Sequence, residues 1–309
     1  MHGRARGSPV ASKRVMARPL RLHIPNTVYH VMSRGNARQQ IFLDARDYQR
    51  FLALLSAATL RFHVSCLAYC LMPNHFHLLV QPRALPLSRM MQQLNSGYAA
   101  WFNRRHDRVG HLLQGRFKAL LVETDVYFLR VLRYIVSNPV VGGRVRQPAN
   151  WRWSSYRATA GIERAATFLA VRTVWDAFDP EDGGHAQHLF AAFIAGPEPV
   201  EEPQGPVFFG STALAACVAP RLAPLRAETE FARAERFAVR PTLDEVLAET
   251  TDAASLDRRM HEAYFGHGYT LREIGGRVGL HTTTVWKRIH RIGHPGTTTP
   301  NVGGERFKI

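Results

Sequence analysis

Two histidines, His75 and His77, lie two residues apart in the segment HFHLLVQ. The apolar pattern of this segment predicts a β-strand, and side chains two apart on a strand project from the same face. The two imidazoles could therefore hold one cation together. A histidine pair is not a complete metal site, so this interpretation needs a third ligand and a reactive group from elsewhere in the chain.

A helix predicted to follow Thr124 could supply both. Its side chains Tyr127, Arg130, Tyr134 and Asn138 fall on one stripe, and Tyr134 and Asn138 are neighbours one helical turn apart. If the stripe crosses the histidine strand, Asn138 can complete the metal shell while Tyr134 faces a metal-bound phosphate. The metal would act as a Lewis acid and lower the effective pKa of the phenol from about 10. Tyr134 is then the predicted covalent nucleophile.

Two other tyrosines compete for this role. Tyr98 lies on the apolar stripe of its own predicted helix, four residues before Phe102, which favours a place in the core. Tyr127 is closer to its helix start and has no downstream amide, so it ranks second. A metal-dependent phosphodiesterase that uses water instead of tyrosine also stays open.

Alternating strand and helix patterns position these residues. Strands are predicted at Thr27–Arg34, Val64–Met72, His75–Gln81 and Phe117–Glu123. Helices are predicted after an Asp44 cap, from Leu87 to the basic cluster at Arg104, Arg105 and His106, and from Thr124 to about Ser137, where Asn138 and Pro139 should end the helix. The order βαββαβα predicts an α+β, ferredoxin-like sheet with its helices packed on one face.

The charge balance favours a polyanionic partner. Lys and Arg number 40 against 24 Asp and Glu, a formal net charge of +16. Such a surface attracts nucleic acid through counterion release, although anionic lipid would be attracted too. No apolar run is long enough to span a bilayer, and the basic N-terminal stretch has no apolar core typical of a secretory signal. We therefore expect a cytoplasmic, nucleoid-associated protein with no membrane partner.

The segment Thr270–Arg291 predicts a helix-turn-helix. A capped helix carries Leu271 and Ile274, Gly279 makes the turn, and a second helix starts at about His281. That second helix would present a basic, hydroxyl-rich face to duplex DNA: Thr282, Thr283, Thr284, Trp286, Lys287, Arg288 and Arg291. An ordinary helical hairpin is the alternative.

Five segments together resemble a known family. They are YHVMSRGN (29–36), LMPNHFHLLV (71–80), GRFKALLVE (115–123), YIVSNPV (134–140) and WSSY (153–156). In order and spacing they resemble the single-tyrosine transposases of the HUH type, and more closely the REP-associated tyrosine transposases of bacteria. The resemblance runs from about Pro19 to Ala160.

The resemblance implies an enzyme that cuts single-stranded DNA near a hairpin, leaves a 5′-phosphotyrosine and a free 3′-OH, and reseals without ATP. His75 and His77 match the metal-binding pair, Tyr134 the nucleophile and Asn138 the third ligand position. The implied metal is Mg²⁺ or Mn²⁺, an unusual preference for imidazoles. Arg34, Arg116 and Lys118 lie at strand ends within these motifs and are candidates for DNA backbone contacts. Relatives work as monomers or as dimers.

Two departures from the family pattern bear on function. Relatives commonly carry NPVRAG where this chain has NPVVGG (138–143), which removes a basic residue beside the site. The C-terminal helix-turn-helix is absent from minimal relatives. It could bind a double-stranded recognition sequence beside the cut site, or it could mark a domesticated DNA-binding regulator whose HUH site is idle.

These patterns predict five regions. They are a basic, disordered extension at 1–18, the catalytic domain at 19–160, a poorly defined helical region and linker at 161–239, the helix-turn-helix module at 240–293 and a disordered tail at 294–309. The proline- and acid-rich stretch PEPVEEPQGP lies within the third region.

Overall fold

The structure is a computed structural model that describes residues 22–83, 85–124, 126–228, 231–248, 250 and 252–293. The predicted extension at 1–18 and the predicted tail at 294–309 lie outside these ranges. The chain divides into two compact units between Glu235 and Arg236. We name them the N-terminal unit and the C-terminal unit.

The N-terminal unit begins with the predicted order of elements. Strands are β1 Val28–Arg34, β2 Val64–Met72, β3 His75–Pro82, β4 Lys118–Val122 and β5 Phe208–Phe209. Helices are α1 Ala45–Phe62, α2 Leu87–Arg105, α3 Val126–Val141, α4 Tyr156–Thr159, α5 Val171–Trp175, α6 Gly183–Ala195, α7 Thr212–Leu222 and α8 Arg233–Arg236. From β1 to α3 the order is βαββαβα, which confirms the predicted α+β class.

The sheet has the strand order β2-β3-β1-β4-β5. The first four strands pair antiparallel: β2 with β3, β3 with β1, and β1 with β4. β5 pairs parallel to β4, with Leu121 opposite Phe208 and Val122 opposite Phe209. Strand β5 was not predicted from the sequence, because two residues are too few to show a strand period.

Helices cover both faces of the sheet, so the prediction that they pack on one face was wrong. On β3, Phe76 packs against Phe51 of α1, with ring centroids 4.6 Å apart, while Leu79 packs in a cluster with α3. Neighbours on a strand alternate between faces, so α1 and α3 lie on opposite sides. β2 and β3 are buried along nearly their whole length, and two apolar faces need two covering layers.

Helix α1 starts as predicted. The Asp44 carboxylate accepts hydrogen bonds from the backbone N–H groups of Arg46 and Asp47, and Asp47 completes a capping box. Helix α3, in contrast, does not end at Ser137 but continues through Pro139 to Val141. Proline removes only one helical donor, and its preferred φ is compatible with a helix, so the last turn persists. Gly142 N–H still donates to the Asn138 carbonyl at 2.8 Å.

The segment of Trp151 and Trp153 lies along the edge of β2 that does not pair with β3. Leu71 N–H donates to the Trp153 carbonyl at 2.9 Å, and Trp151 Nε1 donates to the Leu71 carbonyl at 3.1 Å. Beyond it, Val174 of α5 and Phe190 of α6 pack into the same apolar cluster as α3. The sheet face that carries His75 and His77 is therefore covered by α3 and also by α5 and α6, two helices that come after Ala160 in the chain.

The C-terminal unit is helical. It contains α9 Leu243–Leu247, α10 Ala253–His261, a π-helical turn Glu262–Gly266, α11 Leu271–Val278 and α12 Thr282–Gly293. Thr270 caps α11 in a capping box with Glu273, and Gly279 takes a left-handed conformation (φ +68°) between α11 and α12. Ile274, Val285 and Ile289 are buried in its small core. No helix in the described ranges is long and apolar enough to cross a membrane.

We predict that Gly35→Ala destabilises the N-terminal unit by about 1–3 kcal/mol. A Cβ at Gly35 would lie 2.1 Å from the Gln39 carbonyl oxygen, and this backbone atom cannot move away as the end of a flexible side chain could. Gly97→Ala in α2 is the matched control. Its Cβ would meet nothing closer than 4.0 Å, so it should stabilise the unit by about 0.5–1 kcal/mol. Urea unfolding of both variants measures the difference, and equal midpoints would contradict the placement of Gly35.

Candidate active site

The candidate active site lies where β1, β3 and α3 meet. Antiparallel register places Met32 of β1 opposite His77 of β3, and Arg34 opposite His75. Residues two apart on a strand share a face, so His75 and His77 lie on the same face of β3 as Leu79, which packs with α3. Both histidines therefore project toward α3, and their common face agrees with the prediction from their spacing. From α3, Tyr134 and Asn138 reach the same place: the Tyr134 ring stands edge-on to the His77 ring, with centroids 5.4 Å apart.

His77 is buried and keeps one nitrogen without a hydrogen-bond partner. Its Nδ1 lies 2.8 Å from Nε2 of His30 on β1, while its Nε2 is buried with no partner. With the proton on Nδ1 donated to His30, the Nε2 lone pair is left over. A buried polar atom without a partner is costly, and a cation ligated by that lone pair would relieve the cost.

His75 is oriented in the same way by a different neighbour. Its Nδ1 lies 2.7 Å from the Asn74 side-chain oxygen, and its Nε2 lies 3.2 Å from Oδ1 of Asn138. Both amide oxygens can only accept, so the single N–H of a neutral ring can serve one of them. With the proton on Nδ1, at the shorter contact, His75 Nε2 and Asn138 Oδ1 face each other with no hydrogen between them. Such a pair suits a shared cation.

Burial keeps the histidines uncharged. It lowers the pKa of His30 to about 4 and holds the pKa of His77 well below its usual value, where the neighbouring imidazoles add to the effect. Burial also lowers the pKa of His75, as does the nearby Arg34 guanidinium, whereas Asn138 and Glu202 oppose the shift. Neutral imidazoles have the lone pairs that a metal ligand requires.

Asn138 connects the histidines to the tyrosine. Burial raises the pKa of Tyr134, the carboxylate of Glu202 raises it further, and a hydrogen bond from the Asn138 side chain lowers it. Only the amide N–H of Asn138 can favour a phenolate in this way. Asn138 thus contacts His75 through its side-chain oxygen and lowers the pKa of Tyr134.

The donor set fits a divalent cation. Among the described residues no group of three or more His, Cys, Asp or Glu side chains is placed to hold a metal ion, so the candidate set is two imidazoles and one amide oxygen. The 3.2 Å between His75 Nε2 and Asn138 Oδ1 is close to the separation of about 3.0 Å expected for adjacent ligands at about 2.1 Å from a metal. A substrate phosphate and water would supply the oxygen ligands that Mg²⁺ or Mn²⁺ prefers.

Two of the three basic residues predicted to contact DNA in this unit share the face of the site. Arg34 stands opposite His75 and donates to the Gln114 side chain, and exposed Lys118 stands opposite Met32, in the same cross-strand row as His77. Arg116 is exposed but precedes β4. Contact of all three with DNA stays a prediction.

In the C-terminal unit, the predicted DNA-facing residues differ in their exposure. Thr283, Thr284, Lys287 and Arg291 are exposed on α12, and Thr282 is half-buried beside them. Arg288 instead forms an ion pair with Asp257 of α10 and donates to the Ala253 carbonyl. This placement gives Arg288 a partner within the unit, and duplex binding by α12 stays a prediction.

The rival tyrosines occupy other surroundings. Tyr98 is fully buried, on the sheet face opposite α3, and its hydroxyl donates to the Ile41 carbonyl at 2.5 Å. Tyr127 stands edge-on to Phe209, with centroids 5.0 Å apart. Neither has a histidine partner in a ring contact comparable to that between Tyr134 and His77.

His30 and Asn74, which contact the Nδ1 atoms of the two imidazoles, were not predicted from the sequence as part of the site. His30 is in the quoted segment YHVMSRGN, in the middle of a predicted strand, between apolar residues. A buried histidine inside a strand was a usable signal, but its contact depends on register with a strand 47 residues away. Asn74 lies in the turn between β2 and β3.

Comparisons with known proteins bear on this site. Residues 23–138 match the family model described as "Transposase IS200 like". No curated protein matches the chain. A solved structure of a REP-associated tyrosine transposase bound to a REP hairpin is similar, with 18% sequence identity and a TM-score of 0.42 over 50% of this chain and 92% of that one. By the family match, residues 23–138 are similar to the IS200-like transposases, and the candidate active site lies wholly within this segment.

Proposed function

We propose that this chain cleaves and rejoins single-stranded or hairpin DNA through a 5′-phosphotyrosine at Tyr134. The observation that carries the proposal is the convergence of one phenol, two uncharged imidazoles and one amide within the segment that matches the transposase family. These are the groups needed to attack a phosphodiester and to position a cation beside it.

The reaction consists of two balanced exchanges. The Tyr134 oxygen attacks the phosphorus and forms a P–O bond while the bond to the 3′ oxygen breaks. The phenol proton passes to solvent and the 3′ oxygen takes up a proton, which leaves a free 3′-OH. Rejoining is the reverse, with a 3′-OH as the attacking group and Tyr134 as the leaving group. Because one phosphodiester is exchanged for another, no ATP is needed.

The environment of Tyr134 shows what the chain must contribute to this step. Burial raises the pKa of Tyr134, which opposes formation of the phenolate nucleophile. The Asn138 side chain opposes this effect, because it lowers the pKa of Tyr134. The imidazoles of His75 and His77 together with Asn138 Oδ1 would hold Mg²⁺ or Mn²⁺, and the bound cation would supply Lewis acidity to the phosphoryl group.

The basic surface would bind the DNA. Arg34 and Lys118 share the face of the histidines and could contact the strand backbone, and Arg116 precedes Lys118. The exposed Thr283, Thr284 and Lys287 of α12 could bind duplex DNA next to the cleaved strand.

A DNA-binding regulator with an idle site is the second candidate. One observation favours it: Tyr134 is only 9% exposed, as an unused tyrosine in a core would be. The intact convergence of His75, His77, Tyr134 and Asn138 favours the enzyme, since an idle site has no need of an unpartnered buried lone pair.

We predict that Tyr134→Phe abolishes a covalent protein–DNA adduct that the unaltered protein forms with hairpins from its genomic neighbourhood in Mg²⁺ or Mn²⁺. Loss of the phenol oxygen removes the nucleophile while the ring that packs against His77 stays. Denaturing gels with labelled DNA measure the adduct. Tyr127→Phe on the same helix is the control and should keep it.

Cleavage that persists in Tyr134→Phe would support water as the nucleophile. Binding without any adduct in the unaltered protein, across all flanking hairpins, would support the regulator.

We predict that Asn138→Asp separates metal binding from cleavage. A carboxylate still ligates the cation but has no N–H to donate to Tyr134, and its charge adds to that of Glu202 in raising the pKa of Tyr134. Mn²⁺ affinity should be kept or improved, while the rate of adduct formation falls by about tenfold or more. An unchanged rate at saturating Mn²⁺ would contradict the role of the amide.

We predict that His77→Ala weakens Mn²⁺ binding by at least about tenfold, because it removes the Nε2 lone pair. Electron paramagnetic resonance of free Mn²⁺, in the Tyr134→Phe background, measures binding without any reaction. His111→Ala is the control, since His111 is exposed and lies outside the site. Equal Mn²⁺ affinity in both variants would exclude His77 as a ligand.

A further inference from the structure

Arg133, the neighbour of Tyr134 on α3, is a buried cation that packs against other residues of the N-terminal unit. Its side chain is 6% exposed, its Nη2 donates to the Phe193 carbonyl, and its guanidinium carbon lies 4.6 Å from the centre of the Phe193 ring. A Cβ at position 196 would lie 2.6 Å from Nη2, so Gly196 permits this close packing. The Arg133 Nε is buried and has no partner.

Glu198, the anion that pairs with Arg133, is far more exposed than Arg133. Arg133 Nη1 lies 2.8 Å from the Glu198 carboxylate, whose side chain is 75% exposed. Glu198 belongs to the segment PEPVEEPQGP (197–206), which we name the acidic strap. Removing Glu198 from the pair would restore its hydration at little cost, whereas Arg133 would keep an uncompensated buried charge. The arrangement therefore favours exchange of Glu198 for another anion.

The strap and α3 enclose a cleft of about 410 Å³. From α3 it is lined by Leu129, Arg130 and Arg133, and from elsewhere by two aromatic side chains, Phe193 and Phe209. Guanidinium groups bind phosphate with directed hydrogen bonds, and aromatic rings stack on bases. The lining thus has the chemistry to hold one nucleotide.

The cleft is adjacent to the proposed nucleophile. Arg130 lies one turn before Tyr134 on the same face of α3. At its far end, the strap leads to Val207, whose carbonyl accepts from Leu121 N–H of β4 at 2.9 Å.

We propose that Arg133 and this cleft bind a backbone phosphate and base of the DNA strand next to the phosphate that reacts at Tyr134, and that Glu198 occupies the phosphate position when DNA is absent. The proposal rests on the proposed function. DNA and the strap then compete for Arg133, so the strap weakens strand binding until a matching nucleotide replaces Glu198.

The test measures binding alone, in the full-length Tyr134→Phe protein. The probe is a labelled hairpin with single-stranded flanks that gives an adduct with the unaltered protein. Glu198→Gln keeps the size of the side chain and removes the competing charge, so the dissociation constant should fall about threefold to tenfold. Glu163→Gln is the control, because it removes the same charge from an exposed ion pair with Arg157. It should change the dissociation constant by less than about twofold.

Neutral methylphosphonate linkages, placed one at a time beside the scissile phosphate, identify the phosphate concerned. One position should weaken binding to the Tyr134→Phe protein, and Glu198→Gln should give no gain with that probe. Arg133→Met, checked by its melting temperature, should be insensitive to the same substitution. If Arg133→Met does not fold, the comparison of Glu198→Gln with Glu163→Gln still decides.

Equal affinities of the two glutamine variants would overturn this proposal, and so would a gain that persists with every methylphosphonate probe. If the proposed function itself is wrong, the unaltered protein will form no adduct with any hairpin, which distinguishes that outcome from failure of the phosphate site. An adduct in the unaltered protein together with no effect of Glu198→Gln would leave the enzyme intact and refute the phosphate site alone.

Discussion

Three imidazole rings lie side by side between a sheet and a helix, and burial keeps all three uncharged. The rings of His30 and His77 are stacked with centroids 5.1 Å apart, and those of His75 and His77 are perpendicular at 4.9 Å. Charged rings so close together would repel each other and would require water. Neutral rings can pack like other aromatic side chains, so α3 can cover them and bring Tyr134 and Asn138 onto the same face.

This arrangement gives each neighbour of the site a definite role. His30 and Asn74 orient the rings of His77 and His75 by accepting hydrogen bonds from Nδ1, which leaves the Nε2 atoms for a ligand. Asn138 can satisfy a metal and a phenol at once because an amide has a donor and an acceptor at opposite ends. A carboxylate in its place would have no N–H to donate. The site thus depends as much on hydrogen-bond direction as on the identity of its ligands.

Much of this could be predicted from sequence periodicity. The order βαββαβα, the common face of His75 and His77 and the pairing of Tyr134 with Asn138 follow from local spacing, and local spacing is what a sequence displays. The errors concern long-range packing. Nothing local reveals that α3 covers the face opposite α1, that β5 joins β4, that Arg288 pairs with Asp257, or that His30 aligns with His77. The helix end at Asn138 was misplaced because Pro139 removes one donor without breaking the last turn.

The two-residue strand β5 also has a consequence for attempts to shorten the chain. β4 would otherwise be the outer strand of the sheet, and its Leu121 and Glu123 amides, which now donate to Val207 and Phe209, would face solvent. An open, apolar strand edge is a template for pairing with another molecule. A fragment cut to the family match alone would keep every residue of the candidate site and would still be prone to aggregate. The minimal unit for biochemical work therefore extends at least through Phe209.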